Sequence, residues 1–261
     1  MKSTLLLLSF FLSVSLFSQN VYIPDANFKN YLVNNPEINT NGDTEIQVSE
    51  ASSFIGEIDC GGFNISDLTG IEAFTALTYL DCGGNQLTSL DVSQNTALNT
   101  LFCYSNQLTS LNVTQNMALE SLECDNNQLT SLDVSQNIFL EYIWCGANQL
   151  TCLNIANGNN NVFGFGDYLF SVNPSLNCIQ VDDAAWSTAN WTINIDPQQY
   201  FSEDCDYPSD CFTTSLTELT TSKNLIQILD MMGSETSFKP NTPLIYVYDD
   251  GSTEKVFKIE N

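Results

Sequence analysis

The stretch Leu77-Thr-Tyr-Leu80-Asp-Cys82-Gly-Gly-Asn85-Gln-Leu87-Thr-Ser-Leu90-Asp-Val92-Ser-Gln-Asn95-Thr-Ala97 decides the fold, because the chain repeats it. Blocks 98–118, 119–139 and 140 to about 160 follow at the same 21-residue period. Cysteine recurs at 82, 103, 124 and 145, asparagine at 85, 106, 127 and 148, and leucine at 87, 108, 129 and 150. A fixed period of this length specifies a solenoid, since each coil is too small to bury its own apolar face and must stack on its neighbours. The expected fold class is a repeat solenoid of mostly short parallel β-strands with few helices.

Each coil divides into two leucine-led half-turns of 10 and 11 residues, and both fit Leu-x-x-Leu-x-[Cys/Val]-x-x-Asn. In this the chain resembles the 21-residue bacterial class of leucine-rich repeats, the IRREKO type, in which both half-repeats carry the motif. The resemblance covers 77–155 and a divergent earlier coil at 58–77, and it places the solenoid at 52–181. Leu-x-Cys and Leu-x-Val are short extended segments whose alternate side chains point inward together. Stacking brings equivalent residues to about 4.8 Å in a parallel ladder. Asn85, Asn106, Asn127 and Asn148 then form an internal column, where an amide serves the backbone at the turn. Cys60, Cys82, Cys103, Cys124 and Cys145 take an inward slot as small hydrophobes. They lack the clustering of a tetrahedral metal site, and their parallel directions fit poorly with disulfides between coils.

Lys2, the apolar run 5–17 and Ser18-Gln19 have the proportions of a secretory signal at 1–18, too short to span a membrane. No other stretch approaches a membrane span. Removing Lys2 leaves five lysines against 31 acidic residues, with no arginine and no histidine. Nucleic acid is excluded as a partner, because phosphate neutralisation needs clustered cations. Histidine-based triads and zinc sites are excluded with it.

Variation among the outward positions of the coils is concentrated in one half-turn. Outward positions of the second half-turn stay small and polar: Ser89, Asp91 and Ser93, then Ser110, Asn112 and Thr114, then Ser131, Asp133 and Ser135. Outward positions of the first half-turn vary and include large rings. The candidate ligand-binding face is therefore Tyr79, Asp81, Phe102, Tyr104, Glu123, Asp125, Tyr142 and Trp144. Rings interleaved with carboxylates are suited to a protein or glycan ligand, because aromatics give contact area at low entropy cost. Asp59 and Asp81 stand one strand spacing apart, near the carboxylate separation of retaining glycosidases. An open solenoid face has no cleft to exclude water, so the expected role is binding or adhesion rather than catalysis. A calcium-stabilised structural component of the cell surface and a glycan-active enzyme are the alternatives.

The expected N-terminal cap (19–51) begins with a short helix N-capped by Asp25 and striped with Phe28, Tyr31 and Leu32. Its next segment lies on an EF-hand-type frame: Asn39, Asn41 and Asp43 at positions 1, 3 and 5, the Glu45 carbonyl at 7 and Glu50 as the terminal carboxylate. Asn39 replaces aspartate and Thr44 replaces the turn glycine, so the loop is a weak calcium candidate.

Cys152, Cys178, Cys205 and Cys211 fall outside the column. A C-terminal cap is expected at 182–211, anchored by a Cys178–Cys205 bridge, with Cys152–Cys178 and Cys205–Cys211 as alternatives. A linker (212–222) leads to a small all-β module at 223–261, with strands expected at 225–230, 244–249 and 255–260 and a hairpin signal at Asp250-Gly251. Lys223-Asn-Leu225-Ile226, Asp230-Met-Met-Gly233, Asn241-Thr-Pro243-Leu244-Ile245-Tyr246-Val247-Tyr248-Asp249-Asp250-Gly251 and 255–260 look like a type A C-terminal sorting domain of the Bacteroidetes type IX secretion system. Ser234 departs from the arginine such domains carry after the glycine. The resemblance implies engagement of the type IX machinery, export across both membranes, tail removal and a secreted or surface location.

Overall fold

The computed structural model describes residues 19–159, 170–191, 194–209, 211–212, 225–229, 244–248 and 253–256. The expected signal segment, most of the linker and several tail motifs lie outside them. The chain divides into two units, Met1–Phe212 and Thr213–Asn261.

In the first unit, α1 (Ala26–Val33) starts at Asp25, whose carboxylate accepts the Asn27 and Phe28 N–H groups, and it buries Phe28 and Leu32. After α2 (Val48–Ser53), nine three-residue strands follow: β1 (Glu57–Asp59), β2 (Tyr79–Asp81), β3 (Thr100–Phe102), β4 (Ser121–Glu123), β5 (Ser131–Asp133), β6 (Tyr142–Trp144), β7 (Cys152–Asn154), β8 (Cys178–Gln180) and β9 (Tyr200–Ser202). First half-turns build one sheet in the order β1-β2-β3-β4-β6, and second half-turns build another in the order β5-β7-β8-β9. All pairings are parallel, and β1, β2, β3, β4 and β6 match residue for residue, so Asp59, Asp81, Phe102, Glu123 and Trp144 form one row. The middle residues Ile58, Leu80, Leu101, Leu122 and Ile143 point into the core, as period-2 alternation requires. This is the parallel-strand repeat solenoid expected from the period.

One expectation needs correction. Both half-turns of every coil read as extended, yet 89–91 and 110–112 form no strand. Between those coils the second half-turns are tied through side chains instead: the Asn116 amide donates to the Val92 and Asn95 carbonyls, both at 2.9 Å.

The first asparagine column holds the coils together. Asn106 accepts the Leu87 N–H at 2.9 Å and donates to the carbonyls of Cys82 (3.0 Å) and Cys103 (3.1 Å), spanning two coils. Asn85, Asn127 and Asn148 repeat the pattern one coil apart. Beside them Cys60, Cys82, Cys103, Cys124 and Cys145 are buried thiols outside the two disulfides, the core filler the sequence predicts. The residue preceding each ladder asparagine is left-handed: Gly84, Ser105, Asn126 and Ala147 have φ of 63°, 51°, 53° and 50°. Only the first is glycine, the residue without a steric penalty there.

The ladder has a further member that the 21-residue period hides. Asn173 accepts the Leu150 N–H and donates to the Cys145 and Phe170 carbonyls, with Phe170 in the slot that cysteine fills elsewhere. Phe170 meets Trp191, from α3 (Ala184–Trp191), and Phe201 edge-on, closing the core. Asp196 accepts the Val172 and Asn173 N–H groups that a next coil would have taken. At the other end the Tyr31 hydroxyl accepts the Asp59 N–H at 3.0 Å. Cys178 is bridged to Cys205 and Cys152 to Cys211. The second pairing differs from both alternatives read from sequence, because Cys152 and Cys178 stand on neighbouring paired strands and each reaches outward to the segment after β9.

In the second unit, β10 (Leu225–Leu229), β11 (Leu244–Tyr248) and β12 (Thr253–Val256) form an antiparallel sheet in chain order. The last strand starts two residues before the expected 255.

Candidate recognition face

The outward rows of the five-stranded sheet carry the candidate residues. One row is Glu57, Tyr79, Thr100, Ser121 and Tyr142, and the other is Asp59, Asp81, Phe102, Glu123 and Trp144. A third row continues past the strands through Gly61, Gly83, Tyr104, Asp125, Gly146 and Ser171. It is held by inter-coil bonds such as Ser105 N–H to Asp125 carbonyl and Ala147 N–H to Ser171 carbonyl, both 2.9 Å. The sheet thus brings all eight expected residues onto one surface.

They do not form one continuous aromatic patch. Tyr79 and Phe102 meet edge-on at 5.6 Å between centroids. Tyr104 lies over Gly83, where an added methyl would fall 2.5 Å from ring atoms. All three rings are half-buried. Tyr142 and Trp144 present themselves to solvent, 54% and 42% exposed, beyond the coil that carries Glu123 and Asp125.

Three carboxylates of this face, Asp81, Glu123 and Asp125, are pushed above their ordinary range. Burial is the main cause at Asp81, with Asp59 adding to it, although the Gly83 N–H at 2.8 Å pulls the other way. Burial also raises Glu123, reinforced by Asp125 and Asp81, and it raises Asp125. The phenol of Tyr104 is raised chiefly by the charge of Asp81. Such a surface penalises its own ionisation and gains from any cation placed against it.

Gly146 leaves a gap in the third row between Asp125 and Ser171. Here lies a cavity of about 290 Å³ walled by Trp144, Asp125, Ser171 and Val172. Asp125 Oδ1 and Ser171 Oγ are buried without a hydrogen-bond partner, while Asp125 Oδ2 accepts from the Asn126 amide at 2.7 Å. Val172 is 56% exposed with φ of 60°, a conformation that a β-branched residue rarely adopts. Sequence reasoning missed Ser171 and Val172, which fall out of the 21-residue register. It also missed Met117, Ile138 and Phe139, exposed apolar residues at the turn after the second asparagine column. Their signal was the change from Thr96 to Met117 to Ile138 at one repeat position.

The expected calcium loop closes on its own hydrogen bonds. Glu50 Oε1 accepts the Thr40 N–H, the Thr40 hydroxyl and the Asn41 N–H, and Oε2 accepts the Gln47 N–H at the start of α2. The Asn39 side chain spans Val33, Gly42 and Asp43. Asp43 Oδ2 takes the Asn41 and Gln47 amides. Glu45 pairs with Lys29 at 2.7 Å. Asn41, Asp43 and Glu50 also line an open cleft of about 440 Å³. Among the described residues no three acidic, cysteine or histidine side chains converge as a metal site. Likewise, none of their helices is long and apolar enough to cross a membrane.

The repeats are similar to those of known proteins. The chain is 41% identical over 79 residues to Internalin J of Listeria monocytogenes, a match that covers 30% of this chain and only 8% of that protein. Among solved structures, a functional domain of InlJ from Listeria monocytogenes that includes a cysteine ladder aligns with TM-score 0.45 and 31% identity. That alignment covers 63% of this chain and 39% of the other. An internalin (inlF) from the same species aligns with TM-score 0.44 and 16% identity over 72% of this chain and 59% of its own. No protein-family model matches the chain.

Proposed function

We propose that this chain is a secreted or surface-displayed leucine-rich-repeat recognition protein that holds a protein ligand on the outward face of β1, β2, β3, β4 and β6. One contrast carries the reading. The outward positions 89–93, 110–114 and 131–135 of the second half-turns keep small polar residues from coil to coil, whereas those of the first half-turn change at every coil and expose Tyr142 and Trp144 among carboxylates. Surface residues that differ while their scaffold repeats are the ones free to match a partner. Similarity of the repeat segment to Internalin J supports the same role. A glycan is the second ligand class, favoured by the exposed Trp144 ring.

The apolar leader and the tail motifs support export through the type IX system of a Bacteroidetes-type bacterium, with the 21-residue IRREKO-type coils as cargo. The test is binding to protein and glycan arrays by the chain and by a Tyr142→Ser/Trp144→Ser variant with unchanged circular dichroism. Protein binding lost in the variant supports the reading. Binding that survives moves the site off this face, and no binding by either favours a structural role.

A further inference from the structure

We propose that the cavity between Trp144, Asp125, Ser171 and Val172 receives the cationic side chain, lysine or arginine, of a basic segment on the protein partner. This rests on the recognition face described above and names what one part of it binds.

The cavity, about 290 Å³, lies at the lower edge of the range of small-molecule sites and has room for a long side chain. Asp125 lines it, and the Oδ1 of that carboxylate is out of contact with water and accepts from no group. An acceptor-only oxygen in that condition leaves a hydrogen bond unmade, and a donor entering the cavity supplies it. Ser171 Oγ, equally unpartnered, offers a second polar contact. The wall is the partly exposed ring of Trp144, whose face attracts an ammonium or guanidinium group through its quadrupole. Glu123 lies beside Trp144 in the same strand row and adds a second negative charge.

Among the described residues of the first unit no cation competes for these sites. The only described lysine there is Lys29, paired with Glu45 at the opposite end, and the whole chain has no arginine. Charge complementarity therefore favours a cation over a sugar hydroxyl: the formal net charge is −25, and no charged donor lines the cavity to meet a sugar's own acceptors. The left-handed Val172 contributes an exposed apolar edge, against which the methylene stem of lysine or arginine packs.

The experiment measures affinity for a hexalysine peptide, its fully acetylated form and a neutral oligosaccharide, chitohexaose, using the full chain. Variants are Asp125→Asn, Trp144→Ser, Phe102→Ser in the other half of the face, and Asp91→Asn, which removes one charge from the invariant flank. Expected is binding of hexalysine but not of the acetylated peptide, weakened about tenfold or more by Asp125→Asn and by Trp144→Ser. Asp91→Asn changes it less than about twofold. Equal losses from Asp91→Asn and Asp125→Asn would mean diffuse attraction and overturn the cavity. Loss confined to Phe102→Ser would overturn it too while leaving the recognition face standing. Trp144-dependent binding of chitohexaose in place of the peptide would replace the cation with a glycan, and no binding of any probe would overturn the proposal.

Discussion

The ring of Tyr104 occupies the space that a side chain at Gly83 would need: a methyl built there stands 2.5 Å from the ring's Cε1 and Cζ. Gly83 has no left-handed backbone requirement, so its lack of a side chain serves this contact. Gly83→Ala is expected to swing the ring into solvent at a cost of about 1 kcal/mol, the scale of one aromatic packing contact. In a Tyr104→Ser background the same change should cost almost nothing. Urea unfolding of the four proteins in the cycle measures the coupling, and additive effects would mean that the two residues are independent.

Asn106 and Asn116 hold the same place in the half-turn motif but are unequal in bonding. Asn106 satisfies one N–H and three carbonyls, whereas Asn116 donates two bonds and its Oδ1 has no partner. Asn106→Ala leaves an additional buried donor unmet, so it should destabilise by about 1–3 kcal/mol more than Asn116→Ala. Denaturant midpoints decide this directly.

Burial drives the thiol of Cys60 up to about 12, and it holds Cys82, Cys103, Cys124 and Cys145 further above their ordinary range. The thiolate is the reactive form, so all five should resist alkylation at mildly basic pH until the coils unfold. Reduction opens only Cys152–Cys211 and Cys178–Cys205, which close separations of 59 and 27 residues. Loss of about 2–4 kcal/mol per bridge is expected. Mass spectrometry after iodoacetamide with and without reductant would count four new adducts in the folded protein.

Stability should pass through a maximum on the acidic side of neutrality. Burial raises Asp81, Glu123 and Asp125, so the folded chain binds protons before the unfolded chain, and stability rises as pH falls through their folded values. Asp25 and Glu50 behave oppositely. Desolvation pushes each up, but the Phe28 and Ser66 donors at Asp25, and the Gln47 N–H and Thr40 hydroxyl at Glu50, outweigh it and hold both below the ordinary range. Their contribution is present above the unfolded-state value and disappears as pH falls through the folded one. In urea titrations across pH, Asp81→Asn should flatten the rising side and Glu50→Gln the falling side. A stability curve rising monotonically toward neutral pH would contradict the assignment.

The loop at 39–50 stands on its own hydrogen bonds, so chelation should leave the melting temperature of the first unit unchanged. A rise of several degrees in millimolar calcium, abolished by Asp43→Asn, would instead assign it a calcium site.

Much of this was legible because the period is strict. Asn85, Asn106, Asn127 and Asn148 recur at equal intervals beside a constant cysteine, and equal intervals in a solenoid mean equal environments. Asn173 escaped because it follows Asn148 by 25 residues and has phenylalanine where the frame predicts cysteine. Val172 escaped for a different reason: local propensity places a β-branched residue in extended backbone, and only the pull of the ladder holds it left-handed. The eight face residues were found by their alternation, but their unequal exposure depends on ring packing against Gly83 and on the gap at Gly146, which no single coil encodes. Cys152 and Cys211 were legible as cysteines and illegible as partners, since spacing alone does not select connectivity.

Every bond of the asparagine ladder stays within one coil or joins it to the adjacent one. Excising residues 98–118 would therefore leave Asn85 facing Asn127 with the same groups to satisfy, and duplicating them would insert another matching set. Such a protein lengthens or shortens in quanta of one strand, with both ends untouched. Unequal recombination within the repeats would then alter how many rows meet a partner without first having to solve folding again.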